Sequence, residues 1–162
     1  MRNLKKNLQH KLSGAGSITV LAIGSDLRGD DIAGVLASKY IEKIAKAEKK
    51  KNIKVVYGCT APESVTGEIK KNKPTHLVII DAADMGAKPG VAGLIEAKDV
   101  TGASFSTHML PLKIFLQYLS LFLKCEVVII GIQPKSLSFG KPCSAIVDKT
   151  AKKLAEIIVQ CA

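Results

Sequence analysis

The sequence predicts a three-layer α/β domain, with a mostly parallel central sheet and helices on both faces. The main observation is an alternation along the chain. Short runs of Val, Ile and Leu are followed by segments whose apolar residues recur at helical spacing. The second observation is the length of 162 residues, which suits one hydrophobic core. Composition agrees, because 47% hydrophobic and 23% charged residues are ordinary values for a soluble globular protein.

The first predicted element is a short N-terminal helix. Leu4, Leu8 and Leu12 recur at helical spacing in a basic context, and glycines follow them. We expect residues 1–16 to form a helical extension and residues 17–162 to form a single α/β domain.

Strands and further helices alternate from there on. Apolar runs predict strands at Ile18–Ile23, Ile53–Tyr57, His76–Ile80, Val91–Ala97 (the weakest pattern) and Glu126–Ile130. Amphipathic spacing predicts helices at Asp31–Ala47, Ser64–Lys71, Pro111–Lys124 and Ala145–Val159. Lysines just beyond the first of these helices suit its C-terminus, and the proline that opens the third suits a first helical turn.

Charge and composition disfavour a nucleic-acid partner. There are 24 Lys and Arg against 14 Asp and Glu, a formal net charge of +10. Yet the chain has no Trp, 4% aromatic residues, and arginine only at Arg2 and Arg28, whereas base stacking and base-edge readout favour aromatic rings and arginine. We interpret the lysines as solvated faces, and attraction to an acidic protein partner is the alternative.

The sequence also predicts a cytoplasmic location. The apolar runs fall short of the roughly 20 residues that span a bilayer. Residues 1–16 are polar and basic, unlike a signal peptide. The four cysteines show no zinc-finger or Cys-x-x-Cys spacing, so reduced structural thiols are expected.

The first candidate site is the loop from Gly24 to Asp31, directly after the first predicted strand. Its glycine spacing is not the dinucleotide fingerprint, and it lacks the Lys-Ser/Thr that follows a phosphate loop. Asp30 and Asp31 oppose a bound anion at the helix start, which disfavours a nucleotide-binding module. Helix capping explains one acid of the pair. We hypothesise a functional role, such as binding a cation, for at least one of them.

Asp81 and His108 are the other candidates. Asp81 follows the third predicted strand and would emerge at the carboxyl edge of the sheet, where open α/β sheets bind ligands. The alternative is an acid that bonds nearby backbone N–H groups, and Asp84 is interpreted as a turn residue. His108 precedes a predicted helix, with a structural or solvated histidine as the alternative. If Asp31, Asp81 and His108 converge, their oxygen and nitrogen ligands suit Ni²⁺ or Zn²⁺.

Five segments carry a resemblance to a known family. In chain order they are Gly24-Ser-Asp-Leu-Arg-Gly-Asp-Asp31, Thr60-Ala-Pro-Glu63, Asp81-Ala-Ala-Asp-Met-Gly86, Thr107-His-Met-Leu-Pro-Leu112 and Gly131-Ile-Gln-Pro134. Together they resemble the hydrogenase maturation endopeptidases, most closely those acting on hydrogenase 3-type and methanogen-type nickel–iron enzymes. The similarity runs from about Ile18 to Ala162.

The resemblance implies proteolysis late in the assembly of a metal centre. Family members recognise nickel already inserted in the precursor of the hydrogenase large subunit, and then remove a short C-terminal extension. Asp31, Asp81 and His108 match the family's metal-contacting positions, and nickel would arrive with the substrate rather than stay bound to the enzyme. The resemblance also implies an aspartic-type endopeptidase, with Asp31 and Asp81 as the predicted catalytic residues. We expect the protein to be a monomer. The alternative is a non-catalytic, metal-dependent chaperone of hydrogenase assembly.

One departure from the family lies in the second predicted strand. Family members often have an acid where this chain has Tyr57, and a second glycine where it has Cys59. Tyr57 supplies no carboxylate at neutral pH, so a contact made by that acid is not expected here. For the attack on the peptide bond, a metal-polarised carbonyl and a carboxylate-activated water both remain compatible with the three predicted residues.

Overall fold

The computed structural model describes residues 1–96, 104–105 and 112–162, and within them a mostly parallel sheet forms the centre of the molecule. Its strands are β1 (Ile18–Ile23), β2 (Ile53–Cys59), β3 (His76–Asp84), β4 (Ala92–Ile95) and β6 (Glu126–Ile132). They lie in the order β2-β1-β3-β6-β4. Four of them are parallel, and β4 is an antiparallel edge strand. The short strand β5 (Ser104–Phe105) pairs antiparallel with the end of β3.

Helices cover both faces of this sheet. One face carries α1 (Arg2–Lys11), α2 (Ala33–Ala47) and α5 (Ala145–Cys161), and the other carries α3 (Thr66–Asn72) and α4 (Leu112–Ser120). Short 3-10 helices at Gly29–Ile32 and Pro62–Val65 lead into α2 and α3. The predicted three-layer α/β class is therefore confirmed.

Side-chain alternation along the strands divides the core into two clusters. In β3, Val78 and Ile80 point to the α2 and α5 side, whereas Leu77 and Ile79 point to the α3 and α4 side. All four are fully buried. Burial on both faces explains why these strands read as continuous apolar runs in the sequence.

The N-terminal helix packs onto the body of the protein. Leu4, Leu8 and Leu12 are buried in the same cluster as the apolar face of α5. On the outer side of this contact, the Lys5 Nζ donates a hydrogen bond to Gln160 Oε1 at 3.0 Å. Each buried leucine contributes about 1.5–3 kcal/mol of burial free energy.

The structure corrects two predicted boundaries. β3 continues to Asp84, four residues past its predicted end, so Asp81 lies within the strand rather than after it. It continues because β6 pairs with it as far as Ala82, and β5 pairs with Ala83. The helix α4 ends at Ser120 instead of Lys124, since the N–H groups of Leu121 and Phe122 bond three residues back in a tight turn. The predicted ends at Ala97 and Pro111 lie outside the described residues.

Two further expectations concern the cysteines and membrane segments. All four cysteines are free thiols, as expected from their spacing. Across the described segments, every helix is too short or too polar to cross a bilayer.

Truncating Leu8 tests how far the body depends on α1. Leu8→Ala is expected to lower the free energy of unfolding by about 2–5 kcal/mol, because this fully buried side chain would leave a cavity under α1. Urea denaturation measures the change, and Lys6→Ala, an exposed position on the same helix, is the control. Equal stability of the two variants would show that α1 contributes little to the core.

Candidate active site

The strand order places a crevice between the carboxyl ends of β1 and β3. From β1 the chain passes to β2 on one side, while β3 lies on the other side of β1. The loops that leave β1 and β3 therefore diverge, and open α/β sheets bind ligands at such a switch point. The β1 ladder with β3 stops at the pair Ala22 and Ile80, so the next residue of β3, Asp81, lies level with the loop that follows β1.

Gly34 brings that loop down onto the sheet. A Cβ at this position in the first turn of α2 would overlap the carbonyl oxygens of both Ile23 and Ile80. The start of α2 thus lies directly across the ends of β1 and β3, and only glycine permits this approach. The 3-10 helix before α2, which carries Asp31, contacts β3, which carries Asp81. Two of the three predicted site residues are brought to one crevice.

Asp31 is fully buried inside its own loop. Its Oδ2 accepts a hydrogen bond from the backbone N–H of Ser25 at 3.0 Å. Gly24, at a φ of 133°, makes this closure possible, since a Cβ there would overlap the carbonyl oxygen of Asp31. The residue thus holds a carboxylate in a fixed position just beyond the end of β1.

Asp81 is also fully buried, and its Oδ1 accepts the N–H of Ala82 at 2.7 Å. Its partner across the ladder is Gly131 of β6. A Cβ on Gly131 would come within 2.7 Å of Ile95 Cδ1 and 3.0 Å of Ala83 Cβ, so a larger residue there would require the Ile95 side chain to shift. Alternation directs the Asp81 side chain to the α4 side of the sheet.

Asp30 has a different role from its neighbour. Its Oδ2 accepts hydrogen bonds from the N–H groups of Lys135 (2.7 Å) and Ser136 (3.0 Å) and from the Ser144 hydroxyl (3.0 Å). Its Oδ1 accepts the N–H of Ser144 at 2.6 Å. These donors belong to the segment between β6 and α5, so Asp30 joins the loop after β1 to the loop after β6. Asp30 therefore has a structural role, and the functional role hypothesised for at least one acid of the pair stays a prediction for Asp31.

These bonds also set the ionisation of Asp30. Burial alone would raise the pKa of this carboxyl, which is 1% exposed. The hydrogen bonds from Ser144, Lys135 and Ser136 outweigh that effect and hold its pKa below the ordinary value. Asp30 is therefore a charged, fully bonded structural group at neutral pH.

A second polar network borders the crevice after β3. The Gln133 Oε1 accepts the N–H groups of Met85 (2.7 Å) and Ala87 (3.2 Å), and its Nε2 donates to Asp84 Oδ1 (3.1 Å). Asp84 also accepts the N–H of Gly86 at 3.1 Å, the turn bond expected of it. That bond and the one from Gln133 lower the pKa of Asp84. Residue types alone gave no signal for the positioning role of Gln133.

Tyr57 lies at the end of β2, beside the loop of Asp31. Its hydroxyl donates a hydrogen bond to Glu42 Oε2 of α2 at 3.1 Å. Burial and the Glu42 carboxylate raise the pKa of Tyr57 to about 12. The phenol therefore keeps its proton and cannot serve as a base, in agreement with the sequence expectation.

His108 lies outside the described residues. Within ranges 1–96, 104–105 and 112–162, no group of three or more His, Cys, Asp or Glu side chains is arranged to hold a metal ion. The described part of the candidate site therefore consists of two buried carboxylates from different elements. Such a pair can bind a cation or accept a proton from water.

Comparison with known proteins matches the chain to one family of proteases. The family model for hydrogenase maturation proteases, HycI, matches residues 38–161. The Hydrogenase 3 maturation protease of Escherichia coli K12 is 37% identical over 124 residues, which are 76% of each chain. A Methanocaldococcus jannaschii protein named for the same kind of protease is 35% identical over 161 residues, with 97% of this chain and 95% of the relative covered.

Solved structures give the same result. The crystal structure of the nickel–iron hydrogenase maturation protease HycI from Thermococcus kodakarensis KOD1 matches with a TM-score of 0.86 and 31% identity, covering 96% of this chain and 97% of that one. The solution structure of the endopeptidase HycI from Escherichia coli matches with a TM-score of 0.75, 29% identity, and coverage of 89% and 90%. The fold and these relatives define the chain as a peptidase of the α/β class. More specifically, it belongs to the hydrogenase maturation protease family.

Replacing Asp30 separates its structural role from catalysis. Asp30→Asn is expected to lower the free energy of unfolding by about 2–3 kcal/mol at neutral pH, because an amide nitrogen would face backbone N–H donors. The folded pKa lies below the unfolded value of about 3.9. The stabilisation by the charged form is therefore complete above that value and is lost as the pH falls through the folded pKa.

Urea unfolding from neutral to strongly acidic pH measures this effect. The matched control is Asp26→Asn, which changes an exposed acid of the same loop. We expect the difference between the wild type and Asp30→Asn to shrink as the carboxyl is protonated. A difference that stays constant with pH would contradict the assignment.

Proposed function

We propose that this protein removes a C-terminal extension from the large-subunit precursor of a nickel–iron hydrogenase once nickel has been inserted. The observation that carries the proposal is the presence of two fully buried carboxylates, Asp31 and Asp81, at one crevice of a maturation protease fold. Membership of the hydrogenase maturation protease family supports the substrate, as does the Escherichia coli relative named for hydrogenase 3. We place the reaction in the cytoplasm and expect the enzyme to act as a monomer.

Recognition of nickel is assigned to Asp31, Asp81 and His108. Carboxylate oxygens and an imidazole nitrogen are ligands that suit a first-row divalent ion. A carboxylate removed from water gains from a nearby cation, which offsets part of its desolvation cost. His108 lies four residues before Leu112, the first helical residue of α4, and Leu112 packs in the same cluster as Ile23 at the end of β1. Nickel belongs to the substrate in this scheme.

The reaction is hydrolysis of one peptide bond. A bond forms between the water oxygen and the carbonyl carbon, and the carbon–nitrogen bond then breaks. The water supplies the proton that the departing amine takes, and the shortened precursor ends in a new carboxylate. We assign the role of general base to one of the two aspartates, which would accept the water proton and pass it on.

Conservative substitutions test the two aspartates. Asp31→Asn and Asp81→Asn are each expected to reduce precursor cleavage by at least about 100-fold, because the neutral amide is a weaker ligand for a cation and does not accept a proton at neutral pH. Intact-mass spectrometry of the nickel-loaded precursor measures the rate. Glu48→Gln removes an exposed charge at the end of α2 and serves as the control.

The requirement for nickel is tested with the same assay. A precursor purified without nickel is expected to remain uncut, and a nickel-loaded precursor is expected to lose its C-terminal fragment. Equal cleavage of both forms would contradict nickel recognition while leaving the peptidase role intact. A stable nickel-dependent complex with no loss of mass would contradict cleavage and support the chaperone alternative.

A further inference from the structure

A cleft of about 430 Å³ opens between α2 and the carboxyl ends of β1 and β2. Its apolar lining comes from Leu27, Ile32 and Val35, and Tyr57 contributes an aromatic ring. At the inner side of the cleft Val35 is buried, whereas Leu27 is 57% exposed. The cleft therefore has an apolar interior with an open side, and its size suits a small part of a larger ligand.

This cleft adjoins the loop that carries Asp31. Gly24 and Ser25 line it, and the same Ser25 N–H holds the carboxylate of Asp31. A chain bound at Asp31 would therefore lie beside the loop residues that line the cleft. A ligand seated in the cleft would also fix the position of that chain relative to the carboxylate.

The charges around the cleft favour a peptide over an anion. Lys39 and Asp26 both line it and are exposed, so one cation and one anion face the same space. Within the described segments neither side chain makes a hydrogen bond or an ion pair. A peptide backbone offers one carbonyl acceptor and one N–H donor per residue, which matches such a pair. A phosphate or a free carboxylate would be attracted by Lys39 but repelled by Asp26.

Tyr57 gives the cleft a fixed wall. Its hydroxyl is bonded to Glu42 Oε2, so the ring is tied to both β2 and α2. A fixed aromatic wall favours binding, because little conformational freedom is lost when a ligand packs against it.

We infer that this cleft binds an apolar side chain of the precursor segment next to the scissile bond. The inference rests on the proposed function, since it deepens the description of the substrate. In this arrangement the cleft sets which residue is presented to Asp31 and Asp81, and the two carboxylates carry the chemistry.

Steady-state cleavage of the nickel-loaded precursor tests the inference. Leu27→Ala is expected to raise KM about tenfold, with kcat within about twofold of the wild type, because apolar contact in binding is lost while the carboxylates are untouched. The matched control is Leu121→Ala, a 77% exposed leucine just after α4 that does not line the cleft. An unchanged KM for Leu27→Ala, with normal wild-type cleavage, would overturn the inference and leave the proposed function standing.

A binding measurement without cleavage distinguishes a failure of this inference from a failure of the proposed function. We would record methyl NMR spectra of the wild-type protein with the capped tripeptides acetyl-Ala-Leu-Ala-amide and acetyl-Ala-Asp-Ala-amide. Saturable shifts of the Leu27, Ile32 and Val35 methyls with the leucine peptide alone support the inference even if no precursor is cut. Equal shifts with both peptides, or no shift at these methyls, would overturn it.

Discussion

The carboxylate of Asp30 holds together the edge of the sheet on which the candidate active site depends. It accepts four hydrogen bonds from Lys135, Ser136 and Ser144, residues 105 to 114 positions away in the sequence. Backbone bonds between the same two loops, such as Asp30 N–H to Ser136 O at 2.9 Å, continue the contact. Asp31 is the next residue, so the same network also fixes the position of its backbone. A rigid support of this kind is what a preorganised site requires.

Much of the fold could be predicted because its strands are buried on both faces. Such strands are continuous apolar runs, and the five longer strands were all found near their predicted positions. The extension of β3 through Asp81 could not be predicted, because it depends on pairing with Gly131, 50 positions further along the chain. The separate roles of Asp30 and Asp31 were also beyond local reasoning, since two adjacent aspartates differ only in the partners that the fold brings to them. The positioning role of Gln133 could not be predicted either, because its side-chain amide accepts hydrogen bonds from backbone N–H groups of the loop after β3.

The candidate site is acidic, although the protein as a whole carries a net positive charge. The chain carries a formal net charge of +10, yet both carboxylates at the crevice are fully buried. Positive potential at the surface favours the approach of an acidic partner, whereas the buried acids are suited to one cation presented at close range. The two features act at different distances, so a protein partner and its metal ion can be recognised by separate parts of the same molecule.

The sheet order has a consequence for when the loop of Asp30 becomes fixed during synthesis of the chain. Strand β4 precedes β6 in the chain but pairs with the rest of the sheet through β6. The loop that bonds to Asp30 follows β6 and lies 105 to 114 positions after Asp30 in the sequence. A nascent chain in which β6 and this loop are still inside the ribosome lacks the outer edge of the sheet. It also lacks the hydrogen bonds that hold the loop of Asp30 and Asp31 in place. The loop of Asp30 and Asp31 is therefore fixed only after the segment that follows β6 has been synthesised, although the loop itself is made much earlier.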